Sequence, residues 1–346
     1  MNLTEYFARI GYKEPSHKAD LKTLTELHEH HIRSIPFENL SIHCGEKITL
    51  DLETIYDKLV RNKRGGWCCE NNLLFSWVLK EMGYDITQLG SRVYDNLKDD
   101  YNPQESHLIS KVMIDGKPYI ADVSFGVSSQ IWQPLELISG KDQPQLPGVF
   151  RLVEDKGVWV LQKTGRKPHV PNESFAGSSL VNKSLSKKIY CFTMAPRNID
   201  HFEQTCNFLQ TSPESLFTNK SLCSLQTTTG FRAVIGWTYC EVTYNYQEGV
   251  DLVDVSTVPD EEVEKTLRTC QTEYDIKNKA ATLMQTYPSD LDEYFPSEIL
   301  QFTKLDHLQL ILNSKVISTF LNVSTAQRIY LCALTVLDND HSCEWD

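Results

Sequence analysis

The hydrophobic pattern of this 346-residue chain changes its period near Tyr84, and that change constrains the fold more than any other feature. Before Tyr84, apolar residues recur at intervals of three and four residues, which is the spacing of one helix face. After Tyr84, apolar and polar residues alternate, as they do in strands with one buried face. The sequence therefore predicts a helical N-terminal part followed by sheet.

Three helices are predicted before this change. The first follows an apolar stripe over 21–35, and a proline stops it. The second covers 52–60 and begins after Asp51, a favoured N-cap residue. The third begins near Cys68, and Gly83 is a typical C-terminal stop.

Strands alternate with a few helices in the chain that follows. Asp115-Gly116 lies between two strand-like runs and is a strong signal for a two-residue hairpin. The Gly and Pro content of 139–147 indicates a loop. The predicted strands cover 88–94, 107–114, 118–125, 157–162, 188–193, 231–235, 239–246 and 252–255, and the predicted helices cover 198–210 and 259–269.

Charge and composition exclude several classes of function. The chain carries 34 Lys and Arg against 46 Asp and Glu, a net charge of −12, which argues against general binding to nucleic acid or anionic lipid. No apolar run is long enough to span a membrane and no secretion signal is visible, so we expect a cytoplasmic protein. In a reducing compartment the 10 cysteines are expected to be free thiols, and no Cys/His set has metal-site spacing.

The segment 64–70, RGGWCCE, carries the clearest chemical signal. Two glycines precede Cys68, which opens the third predicted helix. A thiol at a helix N-terminus lies at the positive end of the helix dipole, so its pKa falls, and nearby N–H groups can stabilise an oxyanion. Cys69 points about 100° around the helix and is expected to pack. The alternative is that both cysteines are ordinary core residues.

The predicted hairpin supplies a base and a carboxylate that can orient it. With a two-residue turn, His107 faces Ser124 and Ile109 faces Asp122. His107 and Asp122 then lie diagonally on one face, about 7–8 Å apart at Cα, which a His–Asp hydrogen bond can span. The alternative is a structural histidine beside a solvated aspartate. Together with Cys68, the pair predicts a Cys–His–Asp site for acyl transfer or hydrolysis.

Several segments resemble the arylamine N-acetyltransferases and occur in the same order. RGGWC at 64–68, the histidine before the hairpin and the aspartate of YIADVSFG carry the resemblance. The likeness covers residues 1–269, and the segment 132–147 resembles an inserted loop of vertebrate members. The other matching segments are PFENL at 36–40, LQTSP at 209–213, CSLQT at 223–227 and residues 251–255.

The resemblance implies an α+β fold of three parts with a cysteine-peptidase-like core. A helical bundle (1–83) carries the nucleophile, a β-barrel (84–192) carries the histidine and aspartate, and an interdomain helix with an α/β lid covers 193–270. Residues 271–346, with 5 basic and 11 acidic side chains, have no counterpart and are expected to form an atypical acidic extension.

The resemblance also implies an activity. Family members transfer acetyl from acetyl-coenzyme A to arylamines and hydrazines by a ping-pong route, and O-acetylate N-hydroxyarylamines. Cys68 becomes the acetyl-carrying nucleophile, His107 its base and Asp122 the residue that orients His107. Acetyl-coenzyme A is a co-substrate, and no permanent cofactor or metal is expected. We expect a monomer whose partners are these small molecules, with no nucleic acid or membrane.

Further site residues follow from the resemblance. Ser106, His107, Phe125 and Val127 match the acceptor pocket. The coenzyme A contacts depart from the family's usual residues and are Gln104 in place of a small residue, Phe208 in place of a tyrosine, and Glu214 where a small hydroxyl is usual.

One matched pair is assigned to support of the catalytic loop. Arg64 and Glu38 match a buried pair in the family. The alternative is a surface ion pair, worth only about 0–1 kcal/mol.

Two other functions stay open on the sequence alone. A cysteine hydrolase of the transglutaminase or papain type uses the same three residues. A catalytically impaired paralogue could act as a binding protein. Glu214 and the altered C-terminus favour that interpretation, and the intact Cys–His–Asp set argues against it.

Overall fold

Helices dominate the described chain up to Glu81, and strands dominate the part that follows. The computed structural model of the protein describes residues 1–13, 18–96, 98–178, 181, 185–259 and 262–270. All of these belong to one compact unit, Met1–Ser289. The acidic extension expected at 271–346 lies outside the described residues.

The three N-terminal helices that the sequence predicts are present. Asp51 caps the second of them by accepting the Thr54 backbone N–H at 2.8 Å. This helix continues as one π-helical turn, Asp57–Arg61. Gly83 follows the third with a φ of 87°, the left-handed conformation of a helix stop. The α-helices are α1 (Leu3–Ile10), α2 (Leu21–Ser34), α3 (Leu40–His43), α4 (Leu52–Tyr56), α5 (Cys68–Glu81), α6 (Glu203–Thr211), α7 (Leu216–Asn219) and α8 (Val263–Cys270).

The strands follow the alternating pattern closely, and most extend a few residues beyond it. The strand predicted over 118–125 is too long: β5 ends at Ala121, because Asn72 and His28 bind the backbone of the two residues that follow. Short 3₁₀ turns occur at Val127–Ser129, Glu173–Phe175 and Ile199–Phe202. The strands are β1 (Phe37–Glu38), β2 (Asp85–Asp95), β3 (Asp100–Tyr101), β4 (His107–Ile114), β5 (Lys117–Ala121), β6 (Leu135–Glu136), β7 (Asp142–Gln145), β8 (Gly148–Asp155), β9 (Val158–Thr164), β10 (Lys167–His169), β11 (Ser186–Pro196), β12 (Leu222–Gln226), β13 (Gly230–Ile235), β14 (Thr238–Gln247) and β15 (Val250–Thr257).

The larger sheet is nearly closed and barrel-like, in agreement with the α+β expectation. Its strand order is β6-β5-β4-β2-β11-β9-β8-β7, and β3 pairs with β2 off this path. Inward-facing side chains such as Leu89, Ile109, Ile120, Phe150 and Leu161 are at most 1% exposed and fill its interior. The alternation in the sequence therefore indicates which face of each strand is buried.

The smaller sheet draws strands from three separate stretches of the chain. Its order is β1-β12-β13-β14-β15-β10. The edge strand β1 comes from the N-terminal helical part, and the opposite edge strand β10 comes from between the strands of the larger sheet. β10 pairs in parallel with β15, whereas the other pairs of this sheet are antiparallel.

The prediction of a loop over 139–147 is wrong. Residues Asp142–Gln145 form β7, in which Pro144 pairs with Val149 of β8. β7 is the edge strand of the larger sheet, where a proline that lacks an N–H costs no ladder hydrogen bond. The side chain of Gln145 also accepts the Trp132 backbone N–H at 2.7 Å, so side-chain contacts add to the pairing.

The two helices predicted after the barrel are present with shifted ends. The predicted helix 198–210 is the 3₁₀ turn Ile199–Phe202 followed by α6. The predicted helix 259–269 corresponds to α8, which begins four residues later, at Val263.

Gly230 provides a test of the smaller sheet. A Cβ on this residue would lie 1.6 Å from the Val242 carbonyl oxygen on the paired strand, and backbone cannot move aside as a side chain can. We predict that Gly230→Ala lowers the free energy of unfolding by about 3 kcal/mol. Gly177→Ala is the control, because nothing lies within 4 Å of its added Cβ. Urea unfolding followed by circular dichroism measures both, and equal stability of the two variants would contradict the strand packing.

Candidate active site

Two glycines let the segment before α5 pass close to its neighbours. A Cβ on Gly65 would lie 2.5 Å from the Pro36 carbonyl oxygen, and one on Gly66 would lie 2.8 Å from Glu70 Oε2. Neither glycine has a positive φ, so close approach rather than a left-handed turn is what excludes a side chain here. Gly66 also forms a β-bridge with Phe37, which fixes the path of the chain into α5.

A buried ion pair lies beside this segment. Arg64 Nη2 and Glu38 Oε1 are 2.9 Å apart, and the two side chains are 4% and 0% exposed. Glu38 also accepts the Leu40 backbone N–H at 2.7 Å, and Arg64 donates to Ser41 Oγ at 3.2 Å. The expectation of a buried pair is confirmed, and the surface alternative is wrong.

Glu70 caps the first turn of α5 from inside the protein. Its Oε2 accepts the Trp67 backbone N–H at 3.1 Å, and Lys58 Nζ donates to its Oε1 at 2.8 Å. Burial raises the pKa of Glu70, and the charge of Lys58 opposes that rise. Sequence reasoning missed this role, although a Glu three residues after an N-cap is the capping-box position.

Cys68 is the first residue of α5 and is 6% exposed. Its Sγ lies 4.0 Å from Cys69 Sγ and 3.7 Å from the Ser106 carbonyl oxygen. The hydrogen bond with the Cys69 thiol is the largest influence on the pKa of Cys68 and lowers it. Burial raises this pKa, and the hydrogen bond and charge of His107 lower it further. Together they lower the pKa of Cys68 to about 5, so the thiolate predominates at neutral pH.

The β4–β5 hairpin has the predicted register. Lys111 pairs with Ile120, and the two turn residues have φ values of 50° and 75°, as a two-residue hairpin turn requires. His107 begins β4, and Asp122 directly follows β5. His107 Nε2 and Asp122 Oδ2 are 2.8 Å apart, so the predicted hydrogen bond is present. His107 also lowers the pKa of Cys68, so its imidazole lies near that sulfur.

Burial and the partner's charge shift the pKa values of His107 and Asp122 in opposite directions. Burial alone would lower the pKa of His107, but the Asp122 carboxylate and Cys68 raise it to about 10. Burial would raise the pKa of Asp122, and His107 outweighs it, so that pKa is lowered. Between about pH 5 and about pH 10, the site therefore holds a thiolate, an imidazolium and a carboxylate.

Asn72 fixes Asp122 from α5. Its Nδ2 donates to Asp122 Oδ1 at 3.0 Å, and its Oδ1 accepts the Val123 backbone N–H at 2.9 Å. Asn72 lies four residues after Cys68, so one face of one helix presents both side chains. Sequence reasoning missed Asn72, but that four-residue spacing was the available signal.

His28 fixes the backbone of the same residue from α2. Its Nδ1 lies 2.9 Å from the Trp132 carbonyl oxygen, and its Nε2 accepts the Asp122 backbone N–H at 3.3 Å. Burial lowers the pKa of His28 to about 4, so it stays neutral with the proton on Nδ1. No local pattern in the sequence signals this contact, because it joins residues 94 positions apart.

Two aromatic rings pack against His107. The Phe125 ring lies edge-on to it with centroids 5.1 Å apart, and the Tyr190 ring lies 5.3 Å away. Phe125 and Tyr190 also contact each other at 5.6 Å. Val127, two residues after Phe125, is half-buried. Of the predicted acceptor residues, Ser106 and Phe125 thus lie against the Cys–His pair, and Tyr190 is an addition that sequence reasoning missed.

The three predicted coenzyme A residues lie on exposed surface. Gln104 and Glu214 are exposed, and Phe208 on α6 is 45% exposed. The loop that holds Gln104 is anchored by its neighbour Glu105, which accepts from Arg197 Nε at 2.6 Å. These positions leave the three side chains accessible to a ligand, and their role stays a prediction.

Comparison with known families identifies relatives that cover most of the described residues. A family model described as N-acetyltransferase matches residues 20–278. This match covers the segment of Cys68, the hairpin of His107 and Asp122, and both sheets.

Individual relatives agree with the family model. The pineal gland arylamine N-acetyltransferase isozyme NAT-10 of Gallus gallus is 57% identical over 78% of this chain and 92% of its own length. Arylamine N-acetyltransferase 1 of Homo sapiens is 48% identical over the same shares of the two chains. The crystal structure of an arylamine N-acetyltransferase from Nocardia farcinica superposes with a TM-score of 0.70 at 27% identity, over 84% of this chain and 95% of that one.

The buried ion pair gives a prediction about the segment before Cys68. Arg64→Gln leaves the Glu38 carboxylate buried without its cation, so we predict a loss of about 3–5 kcal/mol in the free energy of unfolding. Arg61→Gln is the matched control, because that side chain is 45% exposed and its ion pairs lie at the surface. Thermal and urea unfolding of both variants tests this. Similar losses in the free energy of unfolding would contradict a larger stabilising role for the buried pair than for the surface pairs.

Proposed function

Because the chain belongs to the arylamine N-acetyltransferase family and is an acyltransferase, we propose that it transfers acetyl from acetyl-coenzyme A to arylamines and hydrazines. We further propose that it O-acetylates N-hydroxyarylamines. One observation supports the mechanism: the buried His107 is hydrogen-bonded to Asp122 and lowers the pKa of Cys68. The reaction then proceeds in two halves, with the acetyl group held on Cys68 between them.

In the first half, the Cys68 thiolate attacks the thioester carbonyl of acetyl-coenzyme A. The first-turn N–H groups of α5, which a helix leaves without intrahelical partners, are suited to stabilise the oxyanion that forms. The carbon–sulfur bond to coenzyme A breaks, and the His107 imidazolium gives its proton to the departing thiolate. One thioester replaces another, so the acetyl-cysteine is not a deep trap.

In the second half, His107 is neutral and can act as a base. The amine nitrogen attacks the acetyl carbonyl, His107 takes the amine proton, and the Cys68 thiolate leaves. The Asp122 carboxylate holds the ring in the correct orientation and stabilises the imidazolium that returns. Aromatic amines are unprotonated at neutral pH, so they arrive as nucleophiles.

The aromatic residues around His107 form the proposed acceptor site. Phe125 and Tyr190 offer ring faces and edges to an arylamine, and Val127 adds apolar surface next to them. The Ser106 carbonyl lies 3.7 Å from the Cys68 sulfur and can guide the attacking nitrogen through its N–H. Gln104, Phe208 and Glu214 are the proposed coenzyme A contacts, with Phe208 stacking in place of a tyrosine.

The three-part division of the chain remains part of the proposal. Residues 1–83 supply the nucleophile, 84–192 the base and its orienting carboxylate, and 193–270 the proposed lid. Among the described residues, no helix has the length and apolar character to cross a bilayer. We propose a cytoplasmic monomer that uses acetyl-coenzyme A as co-substrate and holds no permanent cofactor.

Replacing the sulfur tests the proposed nucleophile. We predict that Cys68→Ser lowers kcat for acetyl transfer to an arylamine roughly a thousandfold or more, because a serine hydroxyl stays protonated at neutral pH. Cys69→Ala is the neighbouring comparison: it removes a hydrogen bond that lowers the pKa of Cys68 but keeps the sulfur nucleophile, so its loss of kcat should be far smaller. An equal loss in both variants would remove the assignment of Cys68. Amide hydrolysis assayed with the same variants separates acetyl transfer from hydrolase activity.

The pH dependence of alkylation tests the ion pair. The pKa of Cys68 is lowered to about 5, so its thiolate is present above that pH and is lost as the pH falls through it. We predict that inactivation by iodoacetamide reaches half its plateau rate near pH 5. In His107→Gln, this midpoint should move upward toward the value of a free thiol, about 8.5. A wild-type midpoint near that of a free thiol would contradict the thiolate–imidazolium pair.

A further inference from the structure

A cavity lies between the two sheets and includes no residue of the Cys–His–Asp site. Its volume is about 60 Å³. β9 and β11 contribute to one side, and β13, β14 and β15 contribute to the other. The lining residues are Ser128, Lys163, Gly165, Arg166, Pro168, Leu185, Lys187, Phe231, Val242, Tyr244, Asp251 and Val253.

The charges that line this cavity are unbalanced. Three cationic side chains, Lys163, Arg166 and Lys187, face a single carboxylate, that of Asp251. That carboxylate is already engaged, because its Oδ1 accepts from Arg166 Nε at 2.6 Å and from the Asn245 backbone N–H at 2.7 Å. Among the described residues, neither lysine lies within ion-pair distance of a carboxylate, and Lys163 is only 5% exposed. Buried charge without an opposite charge is costly, so the cavity favours an anion.

The two lysines donate to neutral groups instead. Lys163 Nζ donates to the Ser128 carbonyl oxygen at 2.5 Å, and Lys187 Nζ lies 3.3 Å from Ser128 Oγ. Each ammonium has three N–H donors, so these contacts leave donors for a further acceptor. The two lysines therefore converge on one point at the cavity wall.

An unsatisfied hydroxyl lines the same cavity. Tyr244 is 5% exposed, and its hydroxyl has no hydrogen-bond partner among the described residues. Lys163 and Arg166 lie over the Tyr244 ring, 5.3 and 5.8 Å from its centroid. A buried hydroxyl normally finds a partner, so this one is an available donor beside the cations.

We propose that this cavity binds a small tetrahedral oxyanion, a sulfate or phosphate group, through Lys163, Lys187, Arg166 and the Tyr244 hydroxyl. One water needs roughly 10–15 Å³ of such volume, so the cavity holds a few waters or one oxyanion. The group is either a free ion or one phosphate of a larger molecule. The site goes beyond the proposed acetyl transfer and does not depend on it.

The protonation of the lysines agrees with this assignment. Burial lowers the pKa of Lys163 to about 7, the positive charges of Lys187 and Arg166 act in the same direction, and the negative charge of Asp251 opposes them. Burial lowers the pKa of Lys187 to about 8. Both ammonium groups are therefore present near pH 6 and largely lost near pH 9, whereas a sulfate ion keeps its charge over this range. Sulfate affinity should fall at the higher pH.

Sulfate binding to the full chain tests the site. Calorimetric titration with sodium sulfate, at an ionic strength held constant with sodium chloride, should give saturable binding of one ion. We expect Lys163→Gln and Lys187→Gln each to weaken it about tenfold or more, roughly 1.4 kcal/mol. Lys188→Gln is the matched control, because it removes the same charge from an exposed neighbour outside the cavity. Thermal unfolding without sulfate checks that each variant is folded.

A second arm identifies the source of the anion. Coenzyme A and 3′-dephospho-coenzyme A are titrated into the same four proteins. A loss of affinity in Lys163→Gln and Lys187→Gln that depends on the 3′-phosphate supports a phosphate carried by a larger molecule. Sulfate binding that depends on these lysines without such a loss supports a free ion. If neither sulfate nor either form of coenzyme A distinguishes these variants from Lys188→Gln, or if sulfate binds equally well near pH 6 and pH 9, the proposal is overturned.

Discussion

The hydrogen bond between His107 and Asp122 is the contact on which the rest of the site depends. It joins two groups that are 2% and 1% exposed, and a charge this deep is tolerated only with close partners. Asp122 is satisfied by His107, by Asn72 and by the Ser124 backbone N–H. The carboxylate in turn holds a proton on His107, and that positive charge helps keep Cys68 ionised. The reactivity proposed for the sulfur thus depends on a hydrogen bond, between His107 and Asp122, that the sulfur does not itself make.

The fold supports this contact by joining α5 to the β4–β5 hairpin. α5 supplies Cys68 at its first residue and Asn72 one turn later, so a single rigid element sets both the sulfur and the carboxylate. One further turn along, Ser76 Oγ and Ser110 Oγ are 2.8 Å apart and join the helix to β4. Glu70 caps the start of α5, and the β-bridge between Gly66 and Phe37 fixes the path of the chain into it.

Local signals allowed the sequence to predict much of this arrangement. The Asp-Gly turn determines the hairpin register, and the register brings His107 to Asp122. The loop predicted over 139–147 was wrong because an edge strand tolerates the proline that argued against it. His28 and Tyr190 reach the site from distant segments, so no periodicity or spacing signals them. The roles of Gly65 and Gly66 depend on which backbone passes beside them, which only the folded chain determines.

The central claim is that the acetyl group rests on Cys68 between the two half-reactions. Intact-protein mass spectrometry after incubation with acetyl-coenzyme A alone, followed by peptide mapping, measures this directly. We expect one added acetyl group per chain, located on Cys68, and its loss when an arylamine is added. An unmodified chain under conditions of active turnover, or an acetyl group on a different residue that an arylamine removes, would contradict the account.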